Sequence, residues 1–240
     1  MNDLIIISGI FFLSACVMGL TGFGFGMLAI PLLSSIMSPK DAIPLSVIFS
    51  WTTNTILLLR FQKSVETKMV GKLMVGIIIG VPVGVFFLKS FDDTLLRILL
   101  GVFTIFYVLN DFFNFLQTKV EIPEKYSLPA GILSGLLSGG FGFGALPVLI
   151  FVSAKVFDKE KFKGTLHYVW LITLSFMLIS LSFFGLLHVQ LLSRSIIFIP
   201  FVISGILIGN WAFGKINQSL LRKIILGSML VVGLKLLIKP

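Results

Sequence analysis

Ionisable side chains are scarce in this sequence, and their scarcity decides its class. Only 12% of the 240 residues are charged against 57% hydrophobic, and the mean hydropathy is +1.08. Soluble domains carry about 25% charged residues, so a water-soluble globule is excluded. Alternating barrel strands would read as more polar. An all-α integral membrane protein is the class that fits. The single cysteine, Cys16, excludes an internal disulfide or thiolate cluster. Two histidines, His167 and His188, are too few for an evident metal site. No cofactor is expected either, because a nucleotide-binding glycine loop needs a preceding strand and a soluble βαβ setting.

Apolar length and glycine are what the chain does have. Apolar runs cover about 4–37, 42–59, 69–88, 94–116, 127–154, 164–187, 195–213 and 219–238. Most approach the ~20 residues that span a bilayer. The first is too long for one straight crossing, and the fifth is slightly long. Phenylalanine is abundant, with 25 residues, as lipid-facing surface requires. Leu13-Ser14-Ala15-Cys16 looks like a lipoprotein cleavage site, but Asn2 and Asp3 give no basic leader and the apolar run continues past Cys16. It is read as ordinary span.

Both long runs contain the same pentapeptide. Gly22-Phe23-Gly24-Phe25-Gly26 returns as Gly140-Phe141-Gly142-Phe143-Gly144, followed by Pro31 and Pro147 respectively. Each glycine costs roughly 1 kcal/mol relative to alanine inside a helix, so three in five residues predict a break. Broken backbone at membrane depth survives only where protein buries it or where it lines a cavity. The duplication extends further: Gly80, Gly84 and Leu95-Leu96-Arg97 match Gly205, Gly209 and Leu220-Leu221-Arg222. The chain is therefore expected to hold a first membrane repeat over 1–118, a linker over 119–126 and a second repeat over 127–240. Each repeat is one glycine-broken run followed by three ordinary spans.

Net charge is +9, from 19 basic and 10 acidic residues. The basic residues fall mainly between apolar runs, which points to membrane orientation rather than nucleic acid. If all eight runs cross, nine basic residues face one side and ten the other. If runs one and five turn back at their glycines, in arms of about 10 to 17 residues, the loops at 60–72, 117–125, 155–163 and 214–223 share a side. That side then holds thirteen and the other six. The positive-inside rule favours the second arrangement. Each half then makes an odd number of crossings, so the two repeats are inverted, a common construction in secondary transporters.

Gly19-Leu20-Thr21-Gly22-Phe23-Gly24-Phe25-Gly26 with Pro31-Leu32-Leu33 resembles the signature of the sulfite exporter TauE/SafE family. So does Gly135-Leu136-Leu137-Ser138-Gly139-Gly140-Phe141-Gly142-Phe143-Gly144-Ala145-Leu146-Pro147, and Lys159–Leu166 is similar to the basic stretch that follows. Leu146 stands where the family often has a paired proline, and Phe25 and Phe143 are bulkier than expected. The resemblance covers nearly the whole chain. It implies a permease for small anions, often sulfur oxyanions or sulfonates such as sulfite, in the inner (plasma) membrane of a bacterial or archaeal cell.

The candidate site rests on backbone. N–H groups at the start of each second arm point into the break with the positive end of the helix dipole behind them, which suits an oxyanion. Thr21, Gly22, Gly24 and Gly26 with Ser138, Gly140, Gly142 and Gly144 are the expected substrate ligands, and Pro31 and Pro147 fix the second arms. Asn54 is either a further pathway residue or an interhelical bond. His167 is the histidine placed for proton coupling, or an ordinary hydrogen-bonded residue. Gly76/Gly80/Gly84, Gly131/Gly135/Gly139 and Gly205/Gly209 sit at four-residue spacing, a helix-packing pattern. No carboxylate lies at a clear midspan position, which argues against a cation pathway.

The expected function is a secondary transporter of a small anion, working by alternating access and coupled to protons or another ion. A transporter of small carboxylates and a non-transport membrane scaffold are the alternatives. An enzyme is not expected, since no cluster of ionisable residues marks one membrane face. Oligomeric state is unread.

Overall fold

A computed structural model describes residues 2–22, 24–61, 65–113, 122–142, 144–156, 158–212, 215 and 218–238. Every regular element among them is helical: α1 (Asn2–Thr21), α2 (Phe25–Ser34), α3 (Pro39–Phe61), α4 (Thr67–Ser90), α5 (Asp93–Phe113), α6 (Ser127–Phe141), α7 (Ala145–Ser153), α8 (Lys159–Phe183), α9 (Val189–Ser195), α10 (Ile199–Ala212) and α11 (Gln218–Ile238). Six candidate spans are long and apolar enough to cross a membrane: α1, α3, α4, α5, α8 and the continuous stretch Val189–Ala212. The protein is a multi-pass membrane protein. Large apolar side chains such as Phe183, Val189 and Trp211 stand exposed, which hydrocarbon tolerates and water does not.

Helix ends follow local chemistry. Asp158 caps α8 by accepting from the Glu160 and Lys161 amides at 3.0 and 2.9 Å. Asp92 accepts from the Leu95 amide at 2.7 Å at the start of α5. At α10 the Lys215 ammonium lies 3.6 Å from the Trp211 ring centroid, a pairing suited to the membrane–water interface. The α1 arm, at 20 residues, is longer than the expected 10 to 17, and no proline interrupts it from Asn2 to Thr21. Of the expected linker 119–126, residues 119–121 lie outside the described residues, and Glu124–Tyr126 form a single 3₁₀ turn.

The helices form two compact units, and neither is one sequence half. The first takes residues 1–49, 92–112 and 187–240, the second residues 50–91 and 113–186. In the first, α1 packs along α10 and α2 touches α11. A β-carbon added at Gly19 would lie 2.6 Å from the Ile206 carbonyl oxygen, and one at Gly205 would lie 2.5 Å from that of Phe12. In the second, α4 packs along α6, and α7 and α8 close around them. Gly76, Gly80 and Gly84 on α4 meet Gly131, Gly135 and Gly139 on α6. The two helices approach backbone to backbone over three turns. Lipid leaves little hydrophobic drive between helices, so this close van der Waals contact supplies association energy that larger residues would prevent.

Candidate functional site

In the first unit the break falls at the pentapeptide. Helix α1 ends at Thr21, whose hydroxyl donates back to the Val17 carbonyl at 2.8 Å. Gly22 and Gly24 both have left-handed backbone, with φ of 82° and 97°. Phe23 lies outside the described residues. Gly24 then serves as N-cap of α2, its carbonyl accepting from the Leu28 amide at 3.2 Å. Gly24 itself supplies no side-chain cap to this N-terminus. Gly26 is the second residue of α2, and Pro31 sits further along it. Phe25, bulkier than the family motif suggests, is buried among Phe11, Phe49 and Phe198 with centroids 4.8–6.5 Å apart in the contacting pairs. That cluster anchors the start of α2.

The other end of α2 is held by cations. Arg97 Nη2 donates to the Met37 carbonyl at 3.3 Å, and Lys235 Nζ approaches the Ser35 carbonyl and hydroxyl at 3.4 Å. Cations belong at a helix C-terminus, where the carbonyls and the dipole are negative. Thus α2, about 15 Å long, has its C-terminus neutralised and its N-terminal amides without a side-chain cap. In the same unit the Ser14, Ser34 and Ser46 hydroxyls are fully buried and make no hydrogen bond among the described residues, where buried hydroxyls ordinarily make one.

The second unit carries the second break. Gly142, with φ 72°, ends α6 by donating its amide to the Ser138 carbonyl at 2.8 Å, the usual glycine stop. Phe143 lies outside the described residues. Gly144 begins α7, again with no side-chain cap, and Pro147 falls in the first turn, where a missing amide hydrogen costs nothing. Ser134 Oγ donates to the Gly144 carbonyl at 2.5 Å, and a β-carbon at Gly144 would collide with the Ser138 hydroxyl and the Ser134 carbonyl. Gly140 faces Gly84 across the α4–α6 seam, 3.4 Å from an added β-carbon to the Gly84 oxygen.

Asn54 and His167, expected as separate contributors, form one buried pair in this unit. Asn54 Nδ2 donates to the His167 carbonyl at 2.8 Å, and Asn54 Oδ1 lies 2.7 Å from His167 Nδ1. Both residues are almost completely buried. Nearby, Trp51 Nε1 donates to Ser175 Oγ at 2.9 Å, the Glu66 amide donates to Thr165 Oγ1 at 3.0 Å, and Lys161 Nζ pairs with Glu66 at 2.6 Å. A ladder of polar contacts thus runs from α8 to the second half of α3 and to Glu66 at the start of α4. Sequence spacing offered no signal for partners more than a hundred residues apart. Ser134, one turn from Ser138 on the same helix face, was available to a spacing argument and was missed.

The family described as Sulfite exporter TauE/SafE matches residues 7–236. The chain belongs to the sulfite exporter TauE/SafE family. A curated relative, the "Probable sulfite/organosulfonate exporter TauE" of Cupriavidus necator (strain H16), is 22% identical over 223 residues, covering 91% of this chain and 87% of its own. No solved structure matches. The TauE/SafE match takes in the residues of both glycine breaks, of the Asn54–His167 pair and of the α4–α6 seam.

Proposed function

We propose that this TauE/SafE protein is a secondary permease of the inner membrane for small sulfur-containing anions, sulfite or an organosulfonate. It works by alternating access around the two glycine-broken segments. The relative's name supplies the substrate class, and the chemistry of the breaks agrees with it. Two short helices begin at glycines with no side-chain cap. Each, through its own amides and dipole, suits an oxyanion without any titratable group. No protein catalysis is required by this reading.

One observation carries the membrane arrangement. Glu66 pairs with Lys161, Asp111 with Arg222 through two 2.7 Å bonds, and Ser35 with Lys235. If all eight apolar runs crossed, the members of each pair would lie on opposite faces, about 30 Å apart. All three contacts are met together when the 127–154 segment enters and turns back at Gly142. The same return produces the thirteen-to-six charge bias. The matching pentapeptide extends it to the first break, which makes the repeats inverted.

Flux measurements on the purified chain in liposomes test this reading. Sulfite, thiosulfate, an organosulfonate and acetate are offered under an imposed proton gradient, to wild type and to folded Gly24→Leu and Gly142→Leu variants. Saturable flux of a sulfur anion, lost in both variants, is expected. Flux of acetate alone moves the substrate to small carboxylates, and no anion flux at all overturns the permease.

A further inference from the structure

The Asn54–His167 pair has a direction, and the backbone sets it. A carbonyl oxygen only accepts, so the Asn54 atom bonded to the His167 carbonyl must be the amide nitrogen. That leaves Oδ1 as the atom 2.7 Å from the imidazole Nδ1. An amide oxygen also only accepts, so Nδ1 carries the hydrogen and donates. In the neutral ring the remaining nitrogen, Nε2, is then the basic one. Burial of both side chains makes either alternative costly, since a flipped amide would set oxygen against oxygen. The two bonds use one of the two N–H groups and one of the two acceptor sites of the Asn54 amide.

We propose that Asn54 is a positioning residue for His167: it locks the Nδ1–H tautomer and so presents Nε2 as the group that takes up and releases the coupling proton. This rests on the permease reading above and deepens it by naming how coupling is set. The step is a simple protonation. Nε2 gains a proton from water on one side of the cycle, forming an imidazolium whose Nδ1–H bond to Asn54 is retained, and returns it on the other. The Trp170 ring stands edge-on to the imidazole at 5.7 Å between centroids and holds it from a second side. On α8, Lys163 lies one turn away, and Lys161 beyond it is paired with Glu66. Helices α6 and α7, which pack on α8, have no titratable side chain. On α4, Lys72 is paired with Glu124 and Lys89 lies over the Phe184 ring, both towards the helix ends.

The test uses the full chain in liposomes with ³⁵S-sulfite as probe, read two ways. The ¹⁵N spectrum of labelled histidine reports the tautomer of His167, assigned by its loss in His167→Gln. Sulfite flux as a function of pH, with and without an imposed proton gradient, reports coupling. Wild type is expected to show Nδ1–H, Nε2-basic imidazole. Asn54→Asp places a carboxylate against Nδ1–H, stabilises the imidazolium and is expected to raise the midpoint of the pH profile by about 1–2 units. That shift is expected to vanish in Asn54→Asp combined with His167→Gln. Asn54→Leu is expected to lower gradient-driven flux roughly tenfold through a misoriented ring. A purely structural pair would lower flux without moving the midpoint. A dominant Nε2–H tautomer in wild type, or an unmoved midpoint in folded Asn54→Asp, overturns the proposal while sulfite flux by wild type keeps the permease. Absence of wild-type flux of sulfite, thiosulfate, the organosulfonate and acetate alike overturns the permease reading itself.

Discussion

Among single residues, the glycines of the two breaks are not equivalent. Gly22 and Gly24 are required by backbone conformation, since both have positive φ and an added β-carbon would meet open space or only the distant Val17 methyl. Gly144 is required by volume, because Ser134 and Ser138 occupy the place its side chain would take. Gly24→Ala is expected to lower stability by about 1–2 kcal/mol, the price of left-handed backbone in an L-residue. Gly24→Asn is expected to lose less, because asparagine tolerates that region. Denaturation in detergent measures both, and equal losses would contradict a conformational cause. The breaks themselves were legible in sequence, since three glycines at alternate positions defeat a helix by local propensity alone. The pairing of Asn54 with His167 was not, because it depends on which two distant helices meet.

Helix pairs show the same division between local and long-range information. Four-residue glycine spacing identified the packing faces of α4, α6 and α10. It could not say that α4 takes α6 from the other half of the chain, or that α1 takes α10. Those partners come from tertiary packing, which no periodicity encodes. Helix limits were close to the apolar runs for the same local reason, with α1 extended to Asn2 and the last stretch before α11 divided into α9 and α10 by a 3₁₀ turn. Two glycines on α4 allow a controlled test. An added β-carbon at Gly71 would meet nothing within 4 Å, whereas one at Gly80 would run into the α6 backbone. Gly80→Val is expected to cost about 1–3 kcal/mol by overpacking, read as a lowered unfolding midpoint in detergent, while Gly71→Ala leaves the midpoint unchanged or slightly raised. Similar losses at both positions would mean that the seam contributes little.

Across the whole molecule, the proposed membrane arrangement turns on whether the 127–154 segment returns to the face it left. The charge bias and the three same-side pairs both follow from that return. So does an α7 half-helix that starts inside the membrane rather than at its surface, which the proposed anion site needs. Sequence could suggest the return through basic-residue asymmetry but could not establish it, since the asymmetry depends on how the runs are counted. Cysteine accessibility tests it most directly. Lys125→Cys and Glu160→Cys flank the segment at exposed positions, and Arg194→Cys lies one span further on. Each is placed in a Cys16→Ser chain and labelled with an impermeant maleimide in sealed vesicles of known orientation. Labelling of positions 125 and 160 from one side and position 194 from the other is the expected result. Labelling of 125 and 160 from opposite sides would contradict the account.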